Sequence, residues 1–399
     1  MKRGLILFVL IIVSLSISAT TTLVAKAEET QNSTSPEVAL SQETHDQIQE
    51  LDLSNINELM QDVNVNLFPE ISATNATTLV NNIVDGKVSI SFGSITKSCF
   101  TALLNSFQKL LPFICVMLGI ILLASLLNKV KAQTLGSQVS QIVYFATFAV
   151  LALLVCSLVV VRIVECGGVI TKLQNQMQAF FPILLTLMTG AGGSASVRIY
   201  QPTVGILSGG VSMVFSSVLL PLVTIMFVLS IVSNLSDETK VGKFQDLISS
   251  IFKWTIGIVS TLFMAYLGVN GITASTKDGV SIRAAKYAIK SYVPVLGGYI
   301  SEGFEVVMAS SVLIKNGVGI IAIIILLSTI LVPLFSIIVL SVSMRFIAAV
   351  VEPVADKKFC SFLTSVAKTL NLLCIVLIGV SLMYFLTISL IISTANNVV

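Results

Sequence analysis

The sequence predicts an all-α protein whose helices cross a membrane about eight times, within a range of six to eight, after an N-terminal signal peptide. Hydrophobic residues make up 55% of the 399 residues and charged residues only 11%. A soluble domain carries about a quarter charged residues, so this chain has too little charge to cover a water-facing surface. The hydrophobic residues also form long blocks without a polar face, and about 20 such residues span a ~30 Å hydrocarbon core as a helix.

Residues 1–27 are predicted to be a secretory signal peptide. A positively charged start precedes the apolar run Gly4–Val13, and Ala25 and Ala27 supply the A-x-A pattern that signal peptidase cleaves. Cleavage there makes Glu28 the first residue of the mature chain. An uncleaved first helix is the alternative.

Residues 28–98 are predicted to be a polar segment outside the membrane. The stretch Glu28–Gln42 is rich in Glu, Thr, Ser and Gln, which is typical of disorder. Apolar residues recur at helical spacing between His45 and Leu59, which predicts a short amphipathic helix. This segment docks either on the membrane domain or on a partner. His45 is the one histidine in the sequence, and we expect it to be solvated rather than to act as a ligand.

Residues 99–399 are predicted to form the membrane domain, with six strong apolar blocks and two weak ones. The strong blocks are residues 113–127, 139–161, 203–233, 247–269, 317–344 and 366–392. The weak blocks, Phe180–Val197 and Val293–Leu313, are Gly-rich and begin at a proline junction, so each either crosses the membrane or re-enters. If both cross, most Lys and Arg residues fall in inside loops, including Lys277–Lys290. That bias favours eight spans with both ends of the mature chain outside.

Residues 171–272 and 283–394 form a candidate internal duplication. Phe244–Lys253 resembles Phe359–Lys368, with Ser250 in register with Ser365. Three crossings in each half would make the halves face opposite ways, as in the inverted repeats of many transporters. Chance similarity between apolar stretches is the alternative.

Two acidic residues, Glu302 and Glu305, are the candidate polar groups at membrane depth. They are three residues apart in the second weak block and therefore share one helix face. Acidic residues at that depth mark water-filled cavities or ion paths. The alternative places them at the membrane interface beside a re-entrant tip.

Prolines and one glycine pair are predicted to shape the helices. Gly205 and Gly209 form a GxxxG pattern, which favours a close contact between helices. Proline removes a backbone donor and clashes with the preceding turn, so it kinks or ends a helix. The prolines in apolar blocks or at their ends are Pro112, Pro182, Pro221, Pro294 and Pro333.

No enzyme chemistry is predicted. The sequence has no GxxxxGK[ST] phosphate loop, and a single histidine supports neither a zinc motif nor a Ser-His-Asp triad outside the polar segment. We therefore expect no catalytic residue, no cofactor and no bound metal. The net charge of +3 is too small to indicate a nucleic-acid partner.

Three short blocks carry a resemblance to a known family. They are Lys290–Gly298 (KSYVPVLGG), Lys315–Gly319 (KNGVG) and Glu352–Asp356 (EPVAD). With these blocks, the chain from about Phe100 to the C-terminus resembles the stage III sporulation protein AE family of spore-forming Firmicutes.

The resemblance implies a membrane-embedded, permease-like component of the channel or secretion apparatus that sporulation requires. It implies a multi-pass location in the mother-cell membrane around the forespore. The implied partners are the lipid bilayer, the other stage III sporulation proteins AA to AH including an ATPase, and indirectly the forespore protein Q. Two alternatives stay open: a stand-alone secondary transporter, and a non-conducting membrane scaffold for the complex.

Overall fold

The computed structural model describes residues 36–61, 75–87, 92–134, 137–235, 241–292 and 297–394, which are almost entirely helical and include no strand. The main helices are α1 (Pro36–Glu50), α2 (Ser54–Gln61), α3 (Ala76–Val84), α4 (Phe92–Thr134), α5 (Ser137–Gly190), α6 (Ser194–Gly205), α7 (Leu220–Leu235), α8 (Gly242–Tyr292), α9 (Gly297–Val351) and α10 (Lys357–Ser393). Two π-helical segments, Ile206–Val211 and Phe215–Leu219, join α6 to α7 through one short helical turn.

The centre of the fold is the antiparallel pair α9 and α10. Their apolar stretches are 67% buried within the protein, whereas the apolar stretch of α8 is only 17% buried. Helices α4, α5, α7 and α8 surround this pair. Neighbouring helices rather than lipid therefore cover most sides of α9 and α10.

Six helices of the described residues are long and apolar enough to cross a membrane, which confirms the all-α polytopic fold class. The number lies at the lower end of the predicted range. The six candidate spans are Thr96–Leu126, Tyr144–Gly190, Gly209–Leu235, Gly242–Gly271, Gly303–Val351 and Lys357–Ser393.

Exposed large apolar side chains form a belt around the helices. On α5 they run from Ile142 to Val164, a rise of about 33 Å at 1.5 Å per residue. On α8 they run from Phe244 to Val269, a rise of about 37 Å. Because a bilayer core is ~30 Å thick, this apolar belt marks one bilayer crossing on each helix.

The second half of α5 lies beyond the apolar belt. Its exposed side chains there include Thr171, Lys172, Asn175 and Gln178, while residues such as Leu173 face the core. An exposed polar face of this kind is typical of a helix in water. One continuous helix therefore crosses the membrane and then extends into water as far as Gly190.

The first weak block, Phe180–Val197, therefore adds no crossing. It consists of the end of α5, a turn in which Gly192 adopts a φ of 84°, and the start of α6. Val293–Leu296, at the start of the second weak block, lie outside the described residues. From Gly297 onward that block is the first part of α9, which continues without interruption into its span.

The described residues thus supply six candidate crossings, the lower end of the predicted range, rather than the preferred eight. Apolar residues of the described weak-block helices such as Leu184, Leu187 and Met308 are buried against neighbouring helices, and hydropathy does not distinguish such burial from contact with lipid. With six crossings, the basic stretch Lys277–Lys290 moves to the same side as the N-terminal segment, and the charge bias disappears. Each half of the candidate duplication then holds two spans, so the halves would share one orientation. The duplication itself stays a prediction.

The N-terminal helices dock on the membrane domain. The Ser311 hydroxyl of α9 donates to Oε1 of Gln47 on α1 at 3.2 Å. A Cβ added to Gly317 would lie 3.3 Å from Cγ2 of Val84, at the end of α3. We call α1–α3, residues 168–190 of α5 and residues 297–319 of α9 the cap. Helix α1 begins at Pro36, so the expectation of disorder up to Gln42 is wrong for residues 36–42.

His45 connects α1 to α3. Its Nδ1 lies 3.1 Å from Oδ1 of Asn81, and its Nε2 lies 3.5 Å from Oδ1 of Asp85. The side chain is 38% exposed. The ring is thus partly exposed, and Asn81 of α3 and Asp85, the residue that follows α3, also contact it.

We expect the two halves of α5 to differ in their reaction with a membrane-impermeant maleimide. In a chain whose native cysteines have been replaced, Asn175→Cys is expected to react and Leu153→Cys is not, because thiolate forms only where water reaches. Both side chains are exposed, and they lie on the same helix. Labelling of intact membranes and of detergent-solubilised protein, read by gel shift, measures the difference. Equal labelling of both positions in intact membranes would contradict the placement of the belt.

Candidate functional site

Polar side chains gather at both ends of the central pair α9–α10. At the cap end, Lys315 of α9 is fully buried, which is rare for a lysine without a partner. Its Nζ donates to the carbonyl oxygen of Thr394, immediately after α10. The Tyr200 hydroxyl lies 3.2 Å from Oγ1 of Thr394. The carbonyl end of a helix carries partial negative charge, so the ammonium group of Lys315 holds the end of α10.

The helices around Lys315 approach one another closely. A Cβ built on Gly319 would overlap Cγ1 of Ile392, and one built on Gly271 would lie 3.3 Å from Cδ2 of Leu390. Helices α6, α8, α9 and α10 thus meet at this end of the core. At the contact between α9 and α10, Gly319 leaves no room for a larger residue. The cap end of the core is therefore closely packed.

The opposite end of the pair carries an open polar cavity at the α9–α10 turn. Its volume is about 330 Å³. We call it the α9–α10 groove, and its charged and hydroxyl-bearing residues are Arg345, Glu352, Ser361, Thr364, Ser365 and Lys368. The EPVAD block forms this turn, so one of the three resemblance-bearing blocks lies at the groove.

Four residues of the groove form a stripe along α10. Ser361, Thr364, Ser365 and Lys368 follow the spacing i, i+3, i+4, i+7, which places them on one helix face. Lys368 lies eleven residues after Lys357, the first residue of α10, and that distance is about 16 Å, or half of a bilayer core. Polar groups at such depth are costly in lipid, so the α10 stripe requires water or protein against it.

Helix α8 carries a stripe with the same spacing. Asp246, Ser249, Ser250 and Lys253 also follow i, i+3, i+4, i+7, and all are exposed or half-buried. Lys253 lies eleven residues after Gly242, the first residue of α8, as Lys368 does on α10. The two stripes lie in Phe244–Lys253 and Phe359–Lys368, the two segments that resemble each other in sequence. The low burial of α8 leaves its stripe open at the surface of the protein.

The polar lining of the groove is suited to binding. Arg345 and Lys368 supply two positive charges against the single carboxylate of Glu352, and hydroxyl groups complete the lining. These groups can hold water or an anion. No group of three His, Cys, Asp or Glu side chains among the described residues could hold a metal ion.

The structure brings few of the predicted site residues together. Ala25, Ala27, Glu28 and Pro294 lie outside the described residues. The side chain of Glu302 is likewise outside the described part. Glu305 is half-buried on the first part of α9, inside the candidate span Gly303–Val351. Its role as a polar group at membrane depth stays a prediction.

The predicted helix-shaping prolines lie within or at the start of long helices. Pro182 lies inside α5 and Pro333 inside α9, and neither ends its helix. Pro221 follows the second π-helical segment. Proline crowds the carbonyl group of the preceding turn, and wider π turns are one way for a helix to accommodate this. Gly205 and Gly209 have no atom of the described residues within 4 Å of an added Cβ, so the predicted close contact, if made, involves other parts of the chain or a second protein and stays a prediction.

Sequence reasoning missed the burial of Lys315 and the polar stripes on α8 and α10. For Lys315, a single charge inside the KNGVG block between apolar runs was the available signal. The similarity of the α8 and α10 segments was noted, but their shared polar face was not. Arg162 and Glu165, three residues apart on α5, form an ion pair.

Comparison with known proteins gives a consistent match. The family description "Stage III sporulation protein AE" fits residues 74–395, which include α3 and every helix after it. A relative of that name from Bacillus subtilis (strain 168) is 28% identical over 260 residues. That alignment covers 65% of this chain and 65% of the relative, slightly less than two thirds of its length. No solved structure matches the chain.

Proposed function

Because this chain belongs to the stage III sporulation protein AE family, we propose that it is the membrane-embedded, permease-like component of the apparatus between mother cell and forespore. It is a multi-pass protein of the mother-cell membrane in this proposal. Its partners are other stage III sporulation proteins, AA to AH, and indirectly the forespore protein Q. An ATPase among them supplies the energy, and this chain itself performs no catalysis.

The observation that carries the proposal is the pair of matching stripes on α8 and α10. Each stripe brings a lysine and hydroxyl groups about 16 Å along its helix from the end opposite the cap. That distance exceeds the reach of one lysine side chain toward the interface. A membrane protein retains such groups where water or another protein meets them.

A passage through the centre of one protomer is not favoured. Between the cap end and the groove, the described interior of α9 and α10 is packed with buried apolar side chains such as Ile321, Ile337 and Leu373. A route for solute therefore runs along the stripes, where copies of this chain or its partners complete the wall. The low burial of α8 leaves a surface for that assembly.

The cap gives the apparatus a surface for partners on the side of the membrane opposite the α9–α10 groove. In this proposal the predicted signal peptide directs the N-terminal segment out of the cytoplasm, and the docking of α1 and α3 on α9 supports a cap on the same side. Helices that continue unbroken from the membrane into the cap connect this platform rigidly to the spans. Partners in the space between the two membranes would meet the cap, and the ATPase would meet the α9–α10 groove.

Replacing the central hydroxyl of both stripes by leucine tests the proposal. We expect the double variant Ser250→Leu/Ser365→Leu to accumulate normally in the membrane but to yield few heat-resistant spores and little late forespore gene expression. The control is Thr224→Leu on α7, an exposed threonine off the stripes whose hydroxyl bonds to its own helix at 3.0 Å. Normal sporulation of the double variant would reject passage along the stripes and leave a scaffold role as the better account.

A further inference from the structure

A second cavity opens at the cap-side edge of the apolar belt, between α4, α5 and α9. Its volume is about 370 Å³, within the range of small-ligand pockets, about 300–1,000 Å³. We call it the α4–α5 pocket. Its polar residues are Lys109 and Ser106 of α4, Ser157 and Arg162 of α5, and Ser336 of α9.

The pocket lies at the height of a lipid headgroup. On α5 the exposed apolar side chains end at Val164, two residues beyond Arg162. On α4, Lys109 lies 17 residues before Leu126, the last exposed apolar side chain described at the opposite edge of the belt, a rise of about 26 Å. The exposed apolar side chains of α4 continue beyond Lys109 to Phe100, so it is the α5 side of the pocket, at Arg162, that lies near the boundary between hydrocarbon and water.

The charges of the pocket favour an anion. Lys109 and Arg162 are positive, and the nearby negative group Glu165 forms an ion pair with one terminal nitrogen of Arg162. Two positive charges against one negative charge leave a net charge of +1. A guanidinium group has five N–H donors, so an ion pair at one nitrogen leaves donors for a phosphate.

The rest of the lining is apolar. Leu110 and Phe113 of α4 lie against Leu158 and Val161 of α5. Leu110 and Phe113 lie closer to the middle of the membrane than Lys109 does, and Leu158 and Val161 lie closer to it than Arg162 does. A free phosphate ion would use the cationic end of the pocket and leave the apolar part unfilled. A phospholipid would use both parts, with its headgroup at the cations and its acyl chain along the apolar wall.

We propose that the α4–α5 pocket binds one anionic phospholipid from the leaflet on the cap side. Each cation near a membrane surface contributes about 1 kcal/mol of attraction for anionic lipid, equal to about fivefold in affinity. The bound lipid fills the wedge between α4, α5 and α9 and thereby fastens α4 to the central pair.

Tryptophan quenching by brominated lipids tests this proposal. The sequence contains one tryptophan, so Trp254→Phe/Phe113→Trp places a single reporter in the pocket of the full-length protein in vesicles. We expect brominated phosphatidylglycerol to occupy the site about fivefold more readily than brominated phosphatidylcholine at equal mole fraction. Lys109→Gln in the same background is expected to reduce that ratio about fivefold.

Lys172→Gln is the matched control, because this exposed lysine lies on α5 beyond the pocket and its loss should leave the ratio unchanged. Equal quenching by the two lipids in the parent protein would overturn the proposal. Displacement by millimolar inorganic phosphate, with no preference between the lipids, would identify a free-anion site and also overturn it. Thermal unfolding of Lys109→Gln at the parent temperature shows that the exposed substitution leaves the fold intact.

Discussion

Replacing Lys315 with glutamate is expected to prevent stable folding of the membrane domain. The side chain is fully buried and its ammonium group bonds to the Thr394 carbonyl oxygen at the end of α10. A carboxylate there would face a carbonyl oxygen and the negative end of the helix dipole. An uncompensated buried charge typically costs about 3–5 kcal/mol, a large part of the total stability of a domain.

Lys315→Met distinguishes loss of the bond from introduction of a wrong charge. Methionine keeps most of the volume but cannot donate to the carbonyl group of Thr394, and the loss of that donor costs about 1–3 kcal/mol. The expected order of thermal stability in detergent is wild type, then methionine, then glutamate. Lys172→Glu is the control for charge reversal, since Lys172 is exposed. A glutamate variant that accumulates and melts like the wild type would show that Lys315 does not hold the end of α10.

Adding a methyl group at Gly319 is the second substitution with a large expected effect. A Cβ at this position would overlap Cγ1 of Ile392, which is itself buried against the core. Overpacking a dense core costs about 1–3 kcal/mol, so Gly319→Ala is expected to lower the melting temperature. Gly268→Ala on α8 is the matched control, because no atom lies within 4 Å of its added Cβ. Alanine there should be neutral or stabilising by helix propensity, about 1 kcal/mol at most.

A double-mutant cycle identifies the neighbour responsible. Ile392→Ala alone leaves a cavity and is expected to cost about 2–5 kcal/mol. In Gly319→Ala/Ile392→Ala the new methyl group enters that cavity, so the combined loss should be smaller than the sum of the single losses. Strict additivity would show that α9 and α10 do not approach each other at this point.

We expect Lys315 and Gly319 to affect function indirectly, through the packing of α9 against α10. Lys315 and Gly319 both belong to the KNGVG block, and both hold the end of α10 against α9 at the cap end of the core. The groove and its stripe lie at the other end of the same two helices. A rigid central pair therefore connects the cap to the groove, and loosening it at one end would disturb both surfaces on which partners are proposed to act.

The broad fold was predictable from the sequence because of its hydropathy. The six strong apolar blocks correspond to the six candidate spans, since a run of about 20 apolar residues has few alternatives to crossing a bilayer. The spacing of polar residues in the second half of α5 also indicates an amphipathic helix. The sequence analysis began a separate weak block there, because Pro182 suggested a break that the helix does not have.

The candidate site was predictable only in part. The spacing of Ser361, Thr364, Ser365 and Lys368 is visible in the sequence, but the same spacing occurs on any helix with a solvated face. Its meaning depends on depth, and depth follows from where the exposed apolar belt begins and ends on neighbouring helices. The burial of Lys315 has no local signature at all, because the group that satisfies it comes from Thr394, 79 residues further along the chain.

The sequence by itself determined the class of the protein, its six membrane-spanning blocks and the absence of any recognisable catalytic motif, because these depend on composition and local runs. Only the tertiary structure decided that the weak blocks belong to long helices of the cap, that α9 and α10 are central, and that polar stripes remain open on α8 and α10. The physical reason is that apolar side chains leave water equally well against lipid and against another helix. Which of the two covers a given face is a property of the packed helices together.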